Sequence, residues 1–97
     1  MAAEQYLQNK IIHDLKLEGW LVNKIKLCSV NGWPDIFAIR KSPYSELYTE
    51  CLFIEVKAPG KRSEPLQVHV QDQIRQHGGK VYEIDSWEEY ITLKLLL

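Results

Sequence analysis

Asp35 follows Pro34 directly, Glu55 lies twenty residues further on, and Lys57 follows Glu55 at a spacing of two. The acidic residues flank apolar runs, Ile36-Phe37-Ala38-Ile39 after the first and Cys51-Leu52-Phe53-Ile54 before the second. Charges set into hydrophobic segments are unfavourable unless a partner or a metal compensates them. Two carboxylates and a lysine so placed point to a divalent cation, and to the phosphodiester backbone of a nucleic acid as substrate. Phosphodiester hydrolysis needs an activated water, stabilised charge on the phosphoryl oxygens and help for the leaving alkoxide. Magnesium supplies much of this from an octahedron of hard oxygen ligands that retains several waters. Asp35 and Glu55 offer two carboxylate ligands, and the Val56 carbonyl offers a third oxygen. Lys57 shares the strand face of Glu55, where an ammonium could hold the attacking water or neutralise the pentavalent phosphorane. The plain alternative is surface ion pairs at strand ends, which the position of Glu55 between Ile54 and Val56 disfavours.

These residues need strands to position them. Reading the two apolar runs as central strands covered on both faces, with Lys41 to Glu50 as a hairpin loop, sets Asp35 opposite or diagonal to Glu55 and Val56. Such neighbours have Cβ atoms roughly 4.5–8 Å apart, close enough to share one cation. Before them, Leu7, Ile11 and Leu15 recur at four-residue intervals from about Ala3 to Glu18, the face of an amphipathic helix that Gly19 ends. Glu4 extends that stripe at its N-terminal end, so its carboxylate could reach the cation directly or through water. The bland account of Glu4 is an acidic residue suited to the helix dipole. Trp20 to Leu27 alternates as an edge-like strand with one wetter face, Asn31-Gly32 signals a turn, and Trp33-Pro34 an extended step.

After Pro59-Gly60, Ser63 or Glu64 caps a second helix with Pro65 in its first turn. Leu66, Val70, Ile74 and His77 form its stripe and Gly78-Gly79 its end. Lys80 to Ile84 is a last strand, and Ser86 with Glu89 forms a capping box for a C-terminal helix. The order is αβββαβα. A three-strand antiparallel meander is joined by a fourth strand parallel to the third, because a strand–helix–strand crossover makes that pair parallel. The expected fold is α/β, one domain over residues 1–97.

The chain has 97 residues, 45% hydrophobic and 26% charged, enough to hide roughly two thirds of its unfolded surface in one modest core. It contains no apolar stretch of ~20 residues to span a bilayer, so no membrane partner is expected. Met1-Ala2-Ala3-Glu4-Gln5 lacks the order of a signal peptide, and Cys28 and Cys51 form no close-spaced pair; a reducing cytoplasm is the expected compartment. A net charge of −1 and a pI near 6.3 argue against bulk electrostatic adhesion to DNA, although a bound metal reverses the sign locally. Lys24, Lys26, Lys61 and Arg62 are the candidate DNA contacts, with solvated surface charge as the plain alternative. His13, His69 and His77 lack metal-ligand spacing. Trp20, Trp33 and Trp87 read as core or interface residues, Trp33 with the alternative of stacking on a base.

Pro34-Asp35 with Glu55-Val56-Lys57 resembles the PD-(D/E)xK nuclease superfamily, and its surroundings are similar to the VRR-NUC branch. The features that carry this are the early helical Glu4; Gly32-Trp33-Pro34-Asp35-Ile36; Glu55-Val56-Lys57-Ala58-Pro59-Gly60; and Glu64-Pro65-Leu66-Gln67 running to Gly78-Gly79. Where that branch usually has a serine before the helix proline, this chain has Glu64. The resemblance implies a restriction-endonuclease-like core with Asp35, Glu55 and the Val56 carbonyl as ligands for magnesium, manganese being able to substitute. It also implies Lys57 as the catalytic lysine and Glu4 and Gln67 as supporting residues. The implied activity is a structure-selective DNA endonuclease leaving 5′-phosphate and 3′-hydroxyl ends, resembling Holliday-junction resolvases that work as homodimers. Phage or bacterial hosts suit so small a nuclease. A twofold assembly would supply a second active site, with the apolar tail Ile91, Leu93, Leu95, Leu96, Leu97 covering a partner surface. The alternatives are an inactive nucleic-acid-binding or protein-interaction module on the same fold, and a nuclease of RNA.

Overall fold

The computed structural model describes residues 3–97. Seven elements follow in order: α1 (Ala3–Leu17), β1 (Leu21–Lys24), β2 (Ile36–Lys41), β3 (Thr49–Val56), α2 (Pro65–Gln76), β4 (Lys80–Ile84) and α3 (Trp87–Lys94). The strands form one sheet in the order β1-β2-β3-β4. The β1–β2 and β2–β3 pairs are antiparallel and β3–β4 is parallel, as the crossover through α2 requires.

One face of the sheet is closed by helices. Ile36, Ala38, Leu52, Ile54 and Val56 point into a core completed by Leu7, Ile11 and Leu15 of α1, Trp20, and Tyr90 and Leu93 of α3. A polar tie joins the two helices at its rim: the Tyr90 hydroxyl donates to Asp14 Oδ2 at 2.7 Å, and Lys94 Nζ stands 2.9 Å from the same oxygen. The other face carries a smaller cluster, in which Val70 and Ile74 of α2 meet Val81, Phe53 and Trp33.

Three local readings shift. The first strand is Leu21–Lys24 rather than Trp20 to Leu27, since β2 supplies partners only as far as Ile36. The buried stripe of α2 is Val70, Gln71 and Ile74; Leu66 and His77 leave it. Leu66 lies in the first turn over Gly32, and His77 is the C-cap, its Nδ1 2.7 Å from the Gln73 carbonyl. Glu64, not Ser63, is the N-cap of α2, with Pro65 at the first helical position. At α3, the Glu89 N–H donates to Ser86 Oγ, while the Glu89 carboxylate accepts from the N–H of Asp85, one residue before the cap.

Candidate functional site

The register of the central hairpin places the two carboxylates. Ile36 pairs with Ile54, so one step further along, Asp35 faces Glu55. The Val56 N–H donates to Asp35 Oδ2 at 2.9 Å, and the Ile25 N–H donates to the Asp35 carbonyl at 2.7 Å. Asp35 is thereby held through both its side chain and its backbone. Its approach depends on Gly32, which has φ +85° and would bring an added Cβ within 3.2 Å of the Leu66 backbone carbonyl. Only glycine lets the loop press so closely on the first turn of α2 at that φ.

That turn delivers Gln67. Lys57 Nζ donates to Gln67 Oε1 at 2.7 Å, and Gln67 Nε2 donates to Glu55 Oε1 at 3.1 Å. The N–H of Glu64 also donates to Gln67 Oε1, at 2.9 Å. A single amide therefore joins a lysine, a carboxylate and the helix cap. Lys57 Nζ itself stands 3.8 Å from Glu55 Oε1.

The electrostatics are those of a site short of positive charge. Glu55 is 3% exposed, and its Oε2 is fully buried without a hydrogen-bond donor. Burial, reinforced by the charge of Asp35 and further by Glu4, pushes the Glu55 carboxyl up to about 8 despite Lys57. Asp35 is raised as well, burial outweighing the Val56 N–H, the contact with Glu55 and the charges of Lys57 and Lys24. Both carboxyls are thus biased toward their protonated forms. A hard cation would relieve that bias, with Glu55 Oε2 available as a ligand oxygen and the ion's charge set against both carboxylates.

Among the described residues, no group of three or more His, Cys, Asp or Glu side chains is placed to hold a metal ion. Two carboxylates with a backbone oxygen fit a cation that keeps its own waters, as magnesium does, rather than a closed zinc site. Glu4, half-buried in the first turn of α1, adds its field at Glu55 without completing such a group. Lys24, at the end of β1, is near enough to Asp35 to favour its ionised form. Lys26 and Lys61 are exposed. Arg62 Nη1 stands 3.3 Å from Asp85 Oδ2 and 3.7 Å from Glu83 Oε1. Trp33 packs edge-on to Phe53 at 5.6 Å.

Two acidic residues escape a sequence reading. Glu83 accepts from the Ser63 N–H at 2.8 Å and Asp85 from the Gly60 N–H at 3.1 Å, bracing the loop between Lys57 and α2. The available signal was Glu83 itself, at the alternate position of β4 that Val81 begins, in register with Glu55.

A solved structure titled VRR_NUC domain matches with a TM-score of 0.79 at 22% identity, covering 96% of this chain and 95% of that one. The chain has the VRR_NUC fold. No model of a known family matches the chain, and no curated protein does. The VRR_NUC fold is therefore reached here with fewer than a quarter of the residues in common, so the shared element is the arrangement of strands and helices. No helix among the described residues is long and apolar enough to cross a membrane.

Proposed function

We propose that the domain is a metal-dependent, structure-selective endonuclease that hydrolyses phosphodiester bonds in branched DNA such as Holliday junctions, working as a homodimer. One observation carries this reading. A buried carboxylate, Glu55, faces a second one across the ladder and keeps an oxygen that no protein group satisfies. A purely structural carboxylate would have a donor at each oxygen, as Glu50 has from Arg40 and Lys80.

Asp35, Glu55 and the Val56 carbonyl would hold magnesium, or manganese in its place, with Glu4 acting at longer range. The metal supplies water activation and charge neutralisation on the scissile phosphate. The Val56 N–H fixes one oxygen of Asp35, which leaves Oδ1 for the ion. The Lys57 ammonium offers its remaining protons to the attacking water or the phosphoryl oxygens. Gln67 orients both partners, because its amide oxygen accepts a hydrogen bond from the Lys57 ammonium while its amide N–H donates to Glu55. Exposed Lys26 and Lys61, with Lys24, would contact the backbone of the duplex; Arg62 joins them only if it leaves Asp85 and Glu83.

The test is a cleavage panel of four-way junction, flap and linear duplex DNA in magnesium, with matched RNA. Cleavage of junctions that disappears in Asp35→Ala is the expected result. Absence of cleavage by the wild type, or cleavage that persists in Asp35→Ala, removes the reading.

A further inference from the structure

A second concavity lies beside the carboxylate pair. The first turns of α1 and the start of α3 enclose a cavity of about 310 Å³, closed on one side by Pro59. Leu7 is buried and Trp87 half-buried at its base, while Tyr6 and Lys10 stand exposed at its rim, one helical turn apart. Two links tie it to the site already described. Pro59 follows Lys57 by two residues, at most about 7 Å of chain. Ala3, another wall residue, precedes Glu4, whose charge is felt at Glu55.

The lining has the chemistry of a nucleotide site. The Lys10 ammonium stands 4.1 Å from the centroid of the Trp87 ring, and that ring packs on buried Tyr90 with centroids 5.1 Å apart. An indole fixed on the core thus holds the ammonium by its π-face. Among the described residues no carboxylate forms an ion pair with Lys10, so its protons remain for an incoming anion. Asp85, the acid of the lining, already accepts from the Gly60 N–H and faces Arg62 at 3.3 Å. The Tyr6 ring, 63% exposed, offers the flat surface on which single-stranded bases stack. The volume lies at the lower end for small-ligand sites, with room for one nucleotide and too little for a duplex.

We infer that this cavity is a subsite for one unpaired nucleotide next to the scissile phosphate, its base on the Tyr6 ring and its phosphate on the Lys10 ammonium. A base in continuous duplex reaches such a cavity only by leaving its stack, and that cost is least where stacking is already broken. The subsite therefore favours branched over continuous DNA. The inference rests on the proposed nuclease reading and deepens it, by naming the groups that select the substrate's structure.

The test is fluorescence anisotropy of labelled four-way junction and linear duplex in magnesium. The full chain carries Asp35→Asn to keep the DNA intact, alone or with Tyr6→Leu, Tyr6→Phe, Lys10→Met or Tyr44→Leu, and circular dichroism confirms folding. Tyr6→Leu should weaken junction binding about tenfold and duplex binding less, with Tyr6→Phe restoring the affinity because a phenyl ring still stacks. Lys10→Met should weaken junction binding and reduce its salt slope by about 1; it carries the test if Tyr6→Leu fails to fold. Tyr44, 89% exposed on the distant β2–β3 hairpin, is the control and should change neither affinity. A junction with abasic residues at the branch should bind about tenfold more weakly to the protein with Tyr6 intact, and Tyr6→Leu should cost nothing further, since ring and base are partners in one contact. Equal losses on junction and duplex, or additive losses from Tyr6→Leu and the abasic branch, would overturn the subsite. Wild-type cleavage that disappears in Asp35→Ala would then still uphold the nuclease, whereas junction selectivity carried by Tyr6 in a chain that cuts nothing would uphold the subsite alone.

Discussion

Glu50 and Glu55 stand five residues apart on β3, both largely shielded from water, in surroundings of opposite sign. Glu50 meets Arg40 Nε at 3.1 Å and Lys80 Nζ at 2.9 Å, and its carboxyl is held below the usual range, chiefly by the Lys80 hydrogen bond. Glu55 meets a second carboxylate and one lysine at 3.8 Å, and its carboxyl is raised. The unsatisfied group differs accordingly: a donor, Arg40 Nη2, at the hairpin end and an acceptor, Glu55 Oε2, at the other. The Arg40 guanidinium nevertheless finds the Trp20 ring at 4.2 Å. A carboxylate that braces a fold is supplied with cations by the chain. One left in deficit is where the proposed cation would bind.

The sharpest way to break this contrast is to remove each acid in turn. Asp35→Ala and Glu55→Gln should reduce junction cleavage by on the order of 10³-fold or more while the chain stays folded. Glu50→Gln should leave the rate within about twofold, and an equal loss there would erase the distinction. The cation that the chain does supply comes next. In single-turnover kinetics, Lys57→Met should slow cleavage about 10²-fold, and Gln67→Leu about tenfold, with magnesium affinity read by calorimetry changing less than the rate.

Acidity separates the two glutamates in a metal-free melt. The folded state holds a proton on Glu55 that the unfolded chain releases, so that stability is present below the ordinary glutamate value and lost as pH rises toward about 8. Glu50 has the reverse sign: its contribution is present above the ordinary value and lost as pH falls through its lowered one. The expected melting temperature drops by roughly 5–10 °C from pH 5 to pH 8, and Glu55→Gln flattens that slope. Magnesium affinity should rise over the same window, since ion and proton compete for one pair of oxygens. A melting curve equally sloped in Glu55→Gln would refute the assignment.

The smallest effects lie at the periphery. Glu50→Gln should cost about 1 kcal/mol in denaturant unfolding, because Lys80 is partly exposed. Lys61→Ala should weaken DNA binding and reduce the salt slope by about 1. Arg62→Ala should change it less, its guanidinium being already engaged by Asp85 and Glu83.

Much of the frame is written locally. The four-residue spacing of Leu7, Ile11 and Leu15, the stop at Gly19 and the start at Pro65 each depend on near neighbours, and each stands in the structure as read. The meeting of Asp35 with Glu55 was also legible, because a hairpin between two apolar runs dictates which residues face each other. Leu66 and His77 show the limit: helical spacing alone put them on the buried stripe, but Leu66 sits in the first turn over Gly32 and His77 serves as the C-cap, both exposed.

By itself, then, the chain's order of apolar runs and breakers determined the element sequence, the mixed sheet and the pairing of its two central acids, since period and turn length act over a few residues. Only the tertiary structure decided that Gln67 would link Lys57 to Glu55 and that Glu83 and Asp85 would brace the loop beside them. Those outcomes depend on how a helix twelve residues long settles across strands distant in sequence, and no local rule contains that distance.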